Sequence, residues 1–365
     1  MFIIYSILIL SFLVIIHELG HYLAARWAGV KVEEFGLGYP PRAKKLFEKW
    51  GTEWTLNWIP FGGFVKLWGE EDEAEDAKKF TGKFSQLSVV KKLVTILAGA
   101  SVNFVFGVLA FAVIYSIVGI PHYPARFVEV APGSPAAQAG LTAGNEVTRV
   151  ESGDDSMQIT SADELMYFIS EHAGSDVTLT TRECQDDGVC TQTTETTAYI
   201  RTAEETPEGE GALGVAFDPP IMQTYPWYEM PVRGAVYGTQ QALGMSVLIL
   251  DALGSLVQQA VSNQTLPADL AGPVGIVQQA GELGVFQDGF LAALSFAGML
   301  SINLAIMNVL PIVPLDGGRA VFIILERIIG AHRSKRIEEV AGSVGYIVLM
   351  GLIIIITARD ITRLW

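Results

Sequence analysis

The hydrophobic positions of the chain fall into four long runs that are separated by more polar segments. The runs cover roughly residues 2–25, 93–119, 290–312 and 340–357. Each approaches the roughly 20 residues with which a helix crosses a bilayer. The pattern therefore predicts four transmembrane helices.

A fifth apolar stretch, residues 234–261, differs from the four runs because it carries four glutamines and Asp251. Polar residues at these positions favour a helix that lies in the membrane interface over one that crosses it. We therefore expect residues 221–288 to form a linker with one interfacial helix.

Composition agrees with a membrane protein and excludes other classes. Half of the 365 residues are hydrophobic and 17% are charged, whereas a soluble domain usually has about 25% charged residues. A net charge of −15 disfavours nucleic-acid binding, which requires basic surfaces. Two cysteines are too few for a disulfide scaffold or a cysteine-based zinc module.

The distribution of charge predicts how the chain is oriented in the membrane. Residues 26–93 carry 12 Lys and Arg against 10 acidic residues, whereas residues 120–235 carry 19 acidic residues, five Arg and no Lys. Cytoplasmic loops are enriched in Lys and Arg. We therefore expect residues 26–93 on the cytoplasmic side, and the acidic segment and both termini on the opposite side.

A metal-binding pattern lies at the end of the first apolar run. His17, Glu18 and His21 form the motif His-Glu-x-x-His. Residues four apart share one face of a helix, so the two imidazoles can bind one metal ion while Glu18 handles the proton of a metal-bound water. The alternative is a pair of core histidines hydrogen-bonded to neighbouring helices. Ionisable groups inside an apolar helix are costly, which favours the functional interpretation.

Asp316 is the candidate for the third protein ligand that a catalytic zinc site needs. It follows the third apolar run, behind Pro311 and Pro314, and precedes two glycines. The alternative role for Asp316 is to cap the helix that begins near Arg319. If the second run returns the chain to the outside and the third runs inward again, Asp316 and the histidines meet in the cytoplasmic leaflet.

These motifs resemble the site-2 protease family of intramembrane zinc metallopeptidases. The similar segments are His17–His21, Gly62–Lys66, Gly272–Ile276 and Asn308–Gly318. The resemblance implies that His17, His21 and Asp316 bind one Zn²⁺ ion and that Glu18 is the general base.

The same resemblance implies a membrane-associated β-hairpin after the first span, with an edge strand that holds the substrate extended. Gly63, Phe64 and Val65 of this hairpin and Asn308 are the expected substrate-binding residues. Asn103, which stands in the second span where the family pattern also has an asparagine, is assigned to the same group.

The acidic segment resembles a bacterial PDZ domain. The similarity lies in residues 128–141 and 144–147, and a helix is predicted at about 161–173. PDZ domains bind an extended peptide by adding it as a strand to a sheet edge. A folded spacer with an unused groove is the alternative.

Cys184 and Cys190 flank a predicted hairpin tip in this segment. An extracytoplasmic location would permit a disulfide between them, and two free thiols are the alternative.

The sequence thus predicts a polytopic α-helical membrane protein with four transmembrane helices, a membrane-associated β-hairpin and an inserted extracytoplasmic PDZ domain of β-rich α+β class. The expected boundaries are 1–28, 93–120, 289–318 and 340–358 for the spans, 29–92 for the hairpin region, 121–220 for the PDZ domain, 221–288 for the linker and 319–339 for a cytoplasmic segment.

By resemblance, the expected function is regulated intramembrane proteolysis in the cell (inner) membrane. The substrates would be single-pass membrane proteins, such as anti-sigma factors or signal-peptide remnants, that have already been cut on the extracytoplasmic side. Membrane lipid is an expected partner, and so is a peptide or an upstream protease's product at the PDZ groove. The alternative is a membrane-anchored PDZ receptor whose zinc site is structural or inert.

Overall fold

The computed structural model of the protein describes residues 2–70, 82–184, 190–207, 209–263 and 289–363. The segment Gly272–Ile276 of the family resemblance lies outside these residues.

The described helices are α1 (Phe2–Ala28), α2 (Val89–Val118), α3 (Pro135–Gln138), α4 (Ala162–Glu171), α5 (Met230–Asn263), α6 (Phe290–Val309), α7 (Asp316–Ile329) and α8 (Ala331–Arg363). The described strands are β1 (Val32–Lys49), β2 (Thr52–Leu67), β3 (Ile120–His122), β4 (Phe127–Val130), β5 (Asn145–Ser152), β6 (Asp155–Gln158), β7 (Asp176–Cys184), β8 (Cys190–Tyr199), β9 (Val215–Phe217) and β10 (Ile221–Gln223).

Three of the described helices are long and apolar enough to cross a membrane. They are α1 from Ile4 onward, α2 and α6, and they coincide with the first three predicted spans. The fourth predicted span, 340–358, lies within α8, where several side chains are outside the described part of the chain. A fourth transmembrane helix therefore stays a prediction.

The third span is shorter than its predicted range of 289–318. The helix α6 ends at Val309, because the prolines at 311 and 314 cannot donate the backbone hydrogen bonds that would continue it. Asp316 is the first residue of the next helix, α7, and the N-cap position is held by Leu315. Asp316 therefore lies at the start of a new helix.

The helices α1, α2 and α6 approach one another closely where small residues face each other. A Cβ atom on Gly20 of α1 would lie 2.6 Å from the carbonyl oxygen of Ala98 on α2. Farther along, Leu13 of α1 is buried against Phe296 and Leu300 of α6. Small residues let helix backbones pack at short range, which is the main source of attraction between helices in lipid.

The helix α5 packs lengthwise against α2 and α6. A Cβ atom on Gly238 would lie 2.5 Å from the backbone nitrogen of Ala112, and Ser116 Oγ donates a hydrogen bond to the carbonyl oxygen of Met230 at 3.3 Å. Ala242 shares a buried cluster with α2 and α6. This packing was not predicted from the sequence; the interfacial location of α5 stays a prediction.

The predicted β-hairpin is more elaborate than two paired strands. Residues 34–37 of β1 pair on one side with residues 63–66 of β2 and on the other side with residues 53–56. Residues 42–49 pair with residues 52–57 around the turn at Trp50. The two long strands therefore fold into a curled sheet of four segments, with residues 63–66 at one edge.

Residues Val118–Trp227 form a separate compact unit of α+β structure. Its four-stranded sheet has the order β6-β5-β7-β8, and β4 pairs with β9. The predicted helix is α4, whose Ser161 N-cap accepts a hydrogen bond from the backbone nitrogen of Glu164. The core contains Phe127, Leu165 and Leu179, each essentially inaccessible to solvent.

Cys184 and Cys190 face each other in the backbone register of β7 and β8. Their side chains lie outside the described part of the chain, so the disulfide stays a prediction.

Candidate metal centre

Three side chains from two elements converge on one point beside α2. His17 and His21 stand one turn apart on α1, and Asp316 begins α7. The Nε2 atoms of the two histidines are 3.1 Å apart, and Asp316 Oδ2 lies 3.1 Å from His17 Nε2 and 3.3 Å from His21 Nε2. The folded chain thus brings together the three residues that the sequence predicts as metal ligands.

The spacing and the chemistry of these atoms fit a tetrahedral zinc ion. Zinc bonds of about 2.0–2.1 Å at tetrahedral angles place neighbouring ligand atoms about 3.3 Å apart. His21 Nδ1 lies 2.9 Å from the carbonyl oxygen of Thr95. Since Nδ1 donates there, Nε2 of the neutral ring presents a lone pair towards the carboxylate oxygen of Asp316. Lone pairs that face each other at this distance repel unless a cation lies between them.

Gly99 of α2 provides the space for the two imidazole rings. A Cβ atom at this position would clash with His21 Nε2 and would lie 2.8 Å from His17 Nε2. The absence of a side chain at Gly99 is therefore a condition for the geometry of the histidine pair.

Glu18 lines the same cavity as the three candidate ligands. The cavity has a volume of about 170 Å³. It is lined by His17, Glu18, His21, Tyr39, Gly63, Phe64, Val65, Leu67, Glu70, Thr95, Ile96, Asp316 and Arg319. The Glu18 carboxylate, the three candidate ligands and the strand segment Gly63–Val65 thus surround one small cavity.

The edge segment of the curled sheet borders this space. A Cβ atom on Gly63 would lie 3.0 Å from Glu18 Cγ, so the glycine lets the backbone approach the carboxylate-bearing side chain. Among the described residues, the pairing register gives the 63–66 segment partners on one side, residues 34–37. Within the described part of the chain, its other edge has no strand partner.

The five predicted substrate-binding residues do not lie together. Gly63, Phe64 and Val65 line the cavity. Asn308 lies half-buried in the last turn of α6 and is not among the cavity-lining residues. Asn103 is 0% exposed and lies behind His17, with its Nδ2 3.5 Å from His17 Nδ1. The predicted contact between Asn103 and a substrate stays a prediction.

A charged group that the sequence analysis did not identify also borders the cavity. Arg319 forms an ion pair with Glu70, and its Nε lies 3.8 Å from Glu338 Oε1. Burial disfavours the charged guanidinium, but the surrounding carboxylates, first Glu70 and then Glu338 and Asp316, together outweigh this effect and raise the pKa of Arg319. The available signal was the spacing: Arg319 follows Asp316 by three residues and so lies on the same side of α7.

Comparison with known proteins decides the family. The sequence profile of Peptidase family M50 matches residues 5–352. The chain belongs to this family. It is 30% identical to a relative from Clostridium perfringens, over 99% of this chain and 98% of the relative. It is 28% identical to a relative from Agrobacterium fabrum, over 98% of this chain and 95% of the relative. Each relative carries the name "putative zinc metalloprotease".

Membership of the M50 family, also called the site-2 protease family, confirms the resemblance seen in the sequence. The protein is a zinc metalloprotease with helices suited to a membrane. Zinc is therefore the cofactor, and the cluster formed by His17, His21 and Asp316 has the geometry to hold it.

Removal of zinc is expected to destabilise the fold. An ion bound to α1 and α7 together stabilises the folded state by about 2.7 kcal/mol when free zinc is 100 times its dissociation constant. The measurement is the thermal unfolding midpoint of the detergent-solubilised protein with zinc and with a chelator. The Asp316→Asn variant serves as the control and is expected to show a much smaller zinc-dependent shift. An equal midpoint with and without zinc in the unmodified protein would contradict a structural link through the metal.

Proposed function

We propose that this M50 protease cleaves single-pass membrane proteins within their membrane segment, after another protease has removed most of their extracytoplasmic part. The observation that carries the proposal is the shared cavity of Glu18, the three candidate ligands and the edge segment Gly63–Val65. It brings a base, a metal site and a strand-pairing edge to one place.

In this proposal His17, His21 and Asp316 would hold the metal. Two imidazoles and one carboxylate form such a set in catalytic zinc sites. When bound, zinc lowers the pKa of a coordinated water and polarises a carbonyl group. Glu18 would accept a proton from the attacking water on its carboxylate and pass it to the nitrogen of the cleaved peptide bond.

A transmembrane substrate must lose helical structure before it can be cut. In an intact helix the backbone carbonyl groups already accept hydrogen bonds from the same helix, so they are not accessible to the attacking water. The free edge at Gly63–Val65 offers backbone hydrogen bonds to an extended segment, and such pairing depends little on the substrate's side chains. A contact from Asn308 to the substrate backbone stays part of the proposal. The resulting selectivity is for segments that unwind easily.

The orientation follows from the charges of the connecting segments. The segment 26–93 carries most of the basic residues near the first two spans, which supports a cytoplasmic location for the curled sheet and the metal centre. The acidic unit Val118–Trp227 and both termini would then lie outside the cytoplasm, in a protein of the cell (inner) membrane.

We further propose that the unit Val118–Trp227 is a PDZ domain that binds peptides or selects shortened substrates. In the described part of the chain, β9 pairs with β4 alone, which leaves an edge for a peptide. The helix α4 contributes Leu165 and Phe168 to the core on which Val215 of β9 packs. A strand edge and a helix that share a core are the components of a strand-addition groove.

The test uses the full chain in liposomes with a single-pass reporter in two forms, one with a complete and one with a shortened extracytoplasmic part. The proposal predicts that the shortened reporter is cut faster, within its membrane segment as mapped by mass spectrometry, and that a zinc chelator stops the reaction. Cuts confined to the soluble part would contradict it. Zinc-loaded protein that binds reporter peptides and cleaves neither form would instead favour the anchored receptor.

A further inference from the structure

The two candidate histidine ligands differ in what supports their second ring nitrogen. An imidazole that binds a metal through Nε2 carries its proton on Nδ1, and this N–H needs an acceptor. His21 has one in the carbonyl oxygen of Thr95, at 2.9 Å. For His17 the polar group at Nδ1 is the side-chain amide of Asn103, at 3.5 Å.

The amide of Asn103 is held in a fully buried position. The residue is 0% exposed, and its Oδ1 has no hydrogen-bond partner among the described residues. The observed orientation, with Nδ2 towards His17 Nδ1, suits a ring that is protonated on Nε2. Metal binding through Nε2 requires the opposite tautomer, and a half-turn of the amide places Oδ1 against Nδ1 to accept its proton.

We propose that Asn103 is a positioning residue for zinc, whose Oδ1 accepts a hydrogen bond from His17 Nδ1 in the metal-loaded protein. This bond fixes the tautomer and the ring orientation of His17, as Thr95 does for His21. Partners of this kind strengthen metal binding because they hold the ligand in its bound geometry before the metal arrives.

The position of Asn103 connects it with the third ligand as well. Ser301 Oγ of α6 donates a hydrogen bond of 2.8 Å to the carbonyl oxygen of Asn103, and α6 leads into the turn before Asp316. Gly99, which accommodates both imidazoles, lies one turn earlier on the same helix. The backbone of α2 at Asn103 is thus fixed between the histidine-bearing and the aspartate-bearing elements.

The inference rests on the proposed ligand roles and is tested by zinc affinity. The full chain in detergent is titrated against a chromophoric chelator for the unmodified protein and for Asn103→Leu, Asn103→Asp and Ser101→Ala. Asn103→Leu removes the acceptor and is expected to weaken zinc binding by about 10–100-fold. Asn103→Asp keeps an acceptor and is expected to bind zinc nearly as tightly as the unmodified protein. Ser101→Ala, at an exposed position of the same helix where the hydroxyl bonds only to the carbonyl oxygen of Leu97 at 2.8 Å, is the control and is expected to retain the affinity.

The aspartate variant separates the proposal from a purely structural role. If Asn103 acted as a donor or as a packing group, Asp would weaken zinc binding as much as Leu, and this result would overturn the proposal. Unchanged affinity in Asn103→Leu, with an unfolding midpoint like that of the unmodified protein, would overturn it too. If Asn103→Leu fails to fold, the zinc affinity of Asn103→Asp alone tests the proposal. Unmodified protein that binds no zinc would instead contradict the proposed function.

Discussion

Replacement of Glu18 by Gln is expected to lower the rate of peptide hydrolysis by about 10²–10⁴-fold, the usual contribution of a general base. The amide keeps the size of the side chain but cannot accept the proton of the attacking water. Zinc is expected to remain bound, because the metal-facing atoms belong to His17, His21 and Asp316. The measurement is the initial rate of reporter cleavage in liposomes, together with the zinc content of the same sample.

Glu171→Gln is the matched control for this experiment. It makes the same chemical change at the exposed end of α4, and its rate is expected to equal that of the unmodified protein. Cleavage by Glu18→Gln at the unmodified rate would show that another group accepts the proton. Loss of zinc from Glu18→Gln would show that Glu18 supports the metal rather than the proton transfer.

Gly99→Ala is expected to weaken zinc binding by at least about 100-fold, beyond the effect of losing one supporting hydrogen bond. The added methyl group would occupy the space of the two imidazole rings, since its carbon would clash with His21 Nε2. The three nearest atoms all belong to the imidazole rings of His17 and His21, which cannot move without changing the distances at the metal centre. Cleavage is expected to fall together with zinc content, and both are measured on the same preparation.

Gly244→Ala provides the comparison for this variant. Gly244 lies within α5, and a Cβ atom there meets nothing within 4 Å. Alanine is a better helix former than glycine by about 1 kcal/mol, so Gly244→Ala is expected to keep zinc and activity without loss of stability. Normal zinc affinity in Gly99→Ala would contradict the tight contact between α2 and the histidine pair.

The candidate ligands could be predicted because their signals are local and periodic. Residues four apart on a helix share a face, which places His17 and His21 together without any tertiary information. Asp316 required one further step, the number of membrane crossings between it and the histidines. Its alternative role as a helix cap fits the structure less well, since Leu315 holds the N-cap position and Asp316 Oδ2 faces the histidines.

Other features depend on packing between distant segments and left no local pattern. The alternation of residues in β1 and β2 predicts paired strands, but it does not show that residues 34–37 pair on both sides. The polar residues of α5 count against a span, yet they say nothing about the contact of Gly238 with α2. The family resemblance alone assigns Asn103 to substrate binding. Its burial behind His17 depends on how α1 and α2 cross, which the sequence does not show.

The central claim is that His17, His21 and Asp316 hold one zinc ion with a position left open for water. The most direct measurement is the zinc X-ray absorption spectrum of the purified full chain. The account predicts two imidazole nitrogens and oxygen donors at about 2.0–2.2 Å, with zinc lost when both histidines are replaced by alanine. A sulfur donor at about 2.3 Å, or undiminished zinc in the double variant, would place the metal elsewhere and contradict the account.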